Sequence, residues 1–154
     1  MKQFLVVAVF AMFAATPSYA CTCAEEEGSL GKQVKRAHTN SQLVFTGTVV
    51  GRRVSNTPSD SFLGEPIVYR FEIDTTYKGV PTSEIIEVAS EALGSGCGYE
   101  FQVGMSYLVY ARKASFSSTA SAADFNFETS LCSRNQPLAS VHKKEFKKLR
   151  RMRN

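Results

Sequence analysis

Four cysteines have the spacing that most constrains the chemistry of this chain: Cys21 and Cys23, separated by Thr22, and the isolated Cys97 and Cys132. Cys21 directly follows a stretch with the marks of an export signal. Lys2 supplies the positive start, residues 4–15 are almost unbroken apolar, and Ser18-Tyr19-Ala20 offers small residues for cleavage. That apolar run is too short to anchor the chain across a bilayer. Cleavage before Cys21 leaves this residue with a free α-amino group. Its amine nitrogen and its own carbonyl oxygen can then chelate one metal ion in a five-membered ring. A catalytic zinc with three protein ligands keeps its fourth position open, and such a chelate would fill it in place of the reactive water. The reference pKa of an α-amine, about 7.7–8.0, leaves a useful unprotonated fraction near neutral pH, so shedding the proton costs little.

An even cysteine count in an exported chain favours disulfides over free thiols. Of the three pairings, the one joining Cys21 to Cys23 closes a very small strained ring. The other two both tie the N-terminus to distant segments, and a terminus anchored at its first and third residues is preorganised for binding rather than frayed. A tetrathiolate zinc site would need a C-x-x-C knuckle, which is absent. Lipid attachment at Cys21 fits poorly, because Ser18 and Tyr19 depart from the Leu-then-small pattern of that processing.

Other candidate chemistry is thin, and the chain is not expected to be an enzyme. His38 and His142 sit in no ligand or nucleophile motif. Glu25-Glu26-Glu27 reads as a solvated charge run, and Gly94-Ser95-Gly96-Cys97-Gly98 precedes no helical pattern, as a phosphate-cradling loop would. A redox role for Cys21-Thr22-Cys23 lacks any thiolate-stabilising neighbour.

The elements that must position the cysteines are short. Ser29 caps a helix with Leu30, Val34 and Ala37 on one face, ending at Asn40-Ser41. Residues 43–50 read as a strand with a bulge or bend at Gly47, and residues 56–64 as a loop. In the strand 67–76, Ile67, Tyr69, Phe71 and Ile73 share one face against Arg70, Glu72 and Asp74, with Val68 the exception. After a turn at residues 78–81 come strands at 85–89, 107–111 and 125–131, with a glycine-rich connection at 94–98, a turn at Gly104 and a low-complexity surface loop at 115–123. Residues 138–152 have helical period, with Leu138, Val141, Phe146, Leu149 and Met152 on one stripe and basic residues opposite. Short strands between turn residues, flanked by two helices, point to a small closed or partly closed antiparallel barrel.

The 154 residues, 44% of them hydrophobic, suit one core, so the expected layout is a signal at 1–20 and a single domain at 21–154. The net charge of +4 hides a division, because residues 143–154 hold seven cations and one acid while the stretch before them is slightly acidic. The plain reading of those cations is a solvated helix face. The functional alternative is an exported, non-inhibitory binding module whose basic helix meets an anionic polymer, a membrane surface or a protein.

The N-terminus Cys21-Thr22-Cys23, the stretch Asn40-Ser41-Gln42-Leu43-Val44, Cys97-Gly98-Tyr99, and Leu131-Cys132 followed by a basic helix together resemble the N-terminal inhibitory domain of the tissue inhibitors of metalloproteinases. The pieces are short, and their order and spacing carry the likeness over nearly all of residues 21–154. The resemblance implies a mainly β fold: a netrin-like, closed five-stranded OB barrel with flanking helices and disulfides Cys21–Cys97 and Cys23–Cys132. It also implies a secreted, extracellular or periplasmic monomer whose partner is a zinc metalloprotease and not nucleic acid. Such a chain has no cofactor of its own, and membrane contact is limited to the basic helix. Cys21 would chelate the protease zinc, Thr22 would enter the adjacent specificity pocket, and Cys23-Ala24 would run along the cleft. Ser95, Gly96, Cys97 and Gly98 would form a neighbouring ridge, with the loop from Arg53 to Gly64 as an outer contact. Three features are expected to depart from the family: Ala24-Glu25-Glu26-Glu27 stands in place of an apolar, proline-containing segment, the third disulfide has no cysteines within residues 21–154, and no second domain is expected.

Overall fold

The computed structural model describes residues 21–24, 27–56, 64–92, 96–114 and 125–153. Helix α1 (Leu30–Asn40) is followed by strands β1 (Leu43–Val54), β2 (Ile67–Lys78), β3 (Ile85–Ser90), β4 (Ser106–Lys113), β5 (Phe127–Thr129) and β6 (Gln136–Pro137). A 3₁₀ turn (Leu138–Ser140) then leads into helix α2 (Lys143–Met152). Five strands close in the order β1-β2-β3-β5-β4, with β4 returning to β1 through the pairs Leu43↔Ala111 to Thr48↔Ser106. This is the OB-type barrel, and β6 adds a short outer pairing on β4 through Leu108↔Gln136.

One strand, β1, closes the barrel because it serves two neighbours. Its first half pairs with β4 on one side and β2 on the other, while Gly51 to Val54 continues along β2 alone. Register shifts at Val44/Phe45, Thr46/Gly47 and Val49/Gly51 bend it. At Gly47 a Cβ would meet the Glu72 carbonyl oxygen at 2.6 Å, so the bend requires glycine.

The interior holds Leu43, Phe45, Val49, Tyr69, Phe71, Val88, Phe101 and Val109. Phe101 sits at its centre, edge-on to Phe71 at 5.0 Å and to Tyr69 at 5.1 Å. A second cluster, with Val34, Val44, Tyr77, Leu108, Tyr110 and Leu149, fills the space between the outside of the barrel and the two helices. Two-sided burial explains why residues 43–50 run apolar without alternation. It also explains Val68, which leaves the alternation of β2 to pack outside the barrel with Ala89 and Phe125.

Three expectations are corrected. The barrel is not wholly antiparallel, because β3 and β5 run parallel through Val88↔Phe127 to Ser90↔Thr129. Strand β5 is three residues rather than 125–131, since the chain must turn at Leu131-Cys132 to reach Cys23. The C-terminal helix begins at Lys143, not Leu138. Val141 separates it from the 3₁₀ turn, and His142 caps it by accepting the Lys144 N–H at 3.1 Å.

Candidate functional site

Residues 21–24 belong to no helix or strand, and two covalent bonds hold them. Cys21 is bonded to Cys97, and Cys23 to Cys132, with Cα atoms 4.9 and 5.2 Å apart. These are the pairings the resemblance implies. They span 76 and 109 residues of sequence. On loop-closure entropy, bridges of that reach stabilise the fold by roughly 4 kcal/mol each.

The two anchor points form one unit, because the Leu131 N–H donates to the Cys97 carbonyl at 2.7 Å. Residues 96–98 and 131–132 thus lie side by side against residues 21–23. Exposure alternates along residues 21–24: both cysteines are half-buried, whereas Thr22 and Ala24 are exposed. An extended segment pinned at alternate residues must present the intervening one outward.

Backbone constraints set the ridge beside it. Gly96 has φ +74°, in the region glycine favours. A Cβ at Gly98 would collide with the Glu91 carbonyl oxygen, so this position admits only glycine at that close approach. The Tyr99 N–H then donates to the Ser90 Oγ at 2.7 Å, fastening the ridge to the end of β3. Burial pushes the Tyr99 phenol above its usual range, which keeps it neutral.

A cavity of about 310 Å³ opens beneath the Cys23–Cys132 bridge, bounded by Ala24, Ser41, Ser130 and the arginines Arg36, Arg112 and Arg134. All three arginines are engaged. Arg36 donates to the Glu27 carbonyl at 3.0 Å, Arg112 pairs with Glu128 at 3.4 Å, and Arg134 grips Glu145 with two bonds of 3.1 Å. Glu145 is fully buried and also accepts the Tyr110 hydroxyl at 2.8 Å. This ion pair locks α2 to the segment that carries Cys132. The sequence offered no sign of it, because Glu145 reads there as one acid on a basic helix.

Of the residues expected at the site, Cys21, Thr22, Cys23, Ala24, Gly96, Cys97 and Gly98 form one contiguous edge. Ser95, Glu25 and Glu26 lie outside the described residues, as do the export signal and the loop 115–123. The outer loop begins later than expected: Arg53 belongs to β1, with its guanidinium on Glu87 at 2.7 Å, and residues 57–63 lie outside the described residues. Leu131, 46% exposed beside both bridges, joins this edge without having been marked by the sequence as a site residue. Its exposure follows from the early end of β5, which no local pattern announces.

Among the described residues no three His, Cys, Asp or Glu side chains cluster to hold a metal. The main-chain nitrogen and carbonyl oxygen of Cys21 lie at this edge, and the nitrogen would be an amine able to share a metal with that carbonyl only in a chain beginning at Cys21. Among the described residues no helix is long and apolar enough to cross a membrane. The chain matches no family model and no curated protein.

Proposed function

We propose that the chain, cleaved before Cys21 and exported, is a protein inhibitor of zinc metalloproteases. The observation that carries this reading is the doubly stapled Cys21-Thr22-Cys23 end, with Thr22 projecting between two fixed points. The resemblance to the tissue inhibitors of metalloproteinases supports it through the same residues. The α-amine and carbonyl of Cys21 occupy the open zinc position, Thr22 fills the neighbouring pocket, and Gly96 to Gly98 with Leu131 flank the cleft. Because both staples are anchored before binding, little ordering entropy is lost on docking.

The acids at 25–27 are the departure that bears on the partner. A carboxylate run beside a cleft is tolerated when it stays solvated or meets cations. The proteases best suited to this edge therefore have basic residues on the rim. A panel of zinc metalloproteases assayed with peptide substrates, using the chain beginning at Cys21, tests the reading. Stoichiometric inhibition of at least one member is expected, and full activity of every member in its presence contradicts it.

A further inference from the structure

Away from the cysteine edge, the two helices enclose a second concavity of about 330 Å³. Leu30, Gly31 and Val34 of α1 line one side, and Lys144, Lys147, Lys148 and Arg151 of α2 the other. It shares no lining residue with the cavity under the Cys23–Cys132 bridge. The four cations fall at i, i+3, i+4 and i+7, which places them in one stripe roughly 10 Å long at 1.5 Å per residue.

These four side chains are not part of the apolar core. The core contacts of α2 are made by Phe146, Leu149 and Met152. Among the described residues none of the seven cations at 143–153 forms an ion pair. Lys143 and Lys144 oppose the helix dipole at its N-terminus, and the pairs 143/147, 144/148 and 147/151 repel at i, i+4. An external polyanion relieves both penalties.

The surroundings select among polyanions. The apolar side chains of α2 are committed to the core, leaving it nothing to insert into a bilayer. No aromatic side chain lines the groove to stack on a base, and α2 lies against α1 and β2 instead of projecting as a helix that reads a DNA groove. The two disulfides belong to an oxidising compartment outside the cytosol. Cations in a line beside the partly exposed Leu30 suit a sugar chain, with anionic groups on the stripe and a ring face on Leu30.

We infer that the α1–α2 groove binds a linear sulfated polysaccharide, with Lys144, Lys147, Lys148 and Arg151 meeting successive sulfate groups. This site is independent of the zinc-chelating edge and leaves that edge free.

The test uses the whole chain from Cys21 and a heparin oligosaccharide as probe. The variant K147Q/K148Q/R151Q is compared with R52Q/R70Q/K113Q, which removes the same charge from the barrel strands. The groove variant is expected to bind about tenfold or more weaker, with a log affinity versus log salt slope shallower by about two, while the barrel variant stays within about twofold. Single substitutions K147Q and R151Q, each expected to weaken binding about threefold, give the same reading if the triple variant fails to fold. Equal weakening by both triple variants overturns the proposal, as does absence of heparin binding. Tighter binding to phosphatidylserine vesicles or duplex DNA than to heparin at the same ionic strength also overturns it.

Discussion

Thr22 is the residue at which a single substitution tests the proposed contact most directly. It stands exposed between two bridged cysteines, so shortening it changes the contact surface without touching the staples. Thr22→Gly is expected to raise the inhibition constant about tenfold, or roughly 1.4 kcal/mol. An unchanged constant would put the contact elsewhere. His38 offers a readout unrelated to the edge. Burial, and secondarily the Lys78 ammonium, hold its imidazole below the ordinary 6.5, so it is neutral in the fold. The unfolded chain takes up this proton first as pH falls. The stabilisation is therefore complete above pH 6.5 and is lost as pH drops from there towards the lower folded-state pKa. A proton NMR titration should give a midpoint under 6.5, and one above it would contradict the packing around His38. At this scale the cysteines were legible from type and position alone. Leu131 and Glu145 were not, because their roles depend on what lies across from them.

Among the elements, α2 ties the barrel to the cysteine edge through the buried Glu145 and Arg134, whose side chains are 1% and 15% exposed. Glu145→Gln removes the charge that compensates Arg134. Breaking a buried pair from one side costs about 3–5 kcal/mol, which corresponds to a fall in melting temperature of roughly 10 °C or more. A melting temperature unchanged by the substitution would contradict a structural role for the pair. The same element marks the limit of what periodicity reveals. The apolar stripe Leu138, Val141, Phe146, Leu149 and Met152 was visible, but the break between Ser140 and Lys143 was not, because His142 caps the helix by a local side-chain bond. The alternation of β2 was plain because one face meets the interior, whereas β1, buried on both faces over its first half, was legible from its apolar and β-branched composition alone. Strand β6 is two residues long and owes its pairing to β4 alone.

Over the whole molecule, a barrel of short strands could be read from turn spacing, and the order of the cysteine segments pointed to its OB form. The parallel pairing of β3 with β5 could not be read locally, since strand direction is set by how the chain returns after β4. The closed barrel supplies a rigid body, and the two long-range disulfides tie residues 21–23, which lie outside every helix and strand, to it. The proposed inhibition would require a free α-amine at Cys21, held over the partner's zinc. The decisive measurement compares inhibition constants against one susceptible zinc protease for the chain beginning at Cys21 and for a chain carrying one additional alanine before it. The extended form, folded and fully disulfide-bonded, is expected to lose inhibition by at least about a thousandfold, or roughly 4 kcal/mol. Equal potency of the two forms would contradict it.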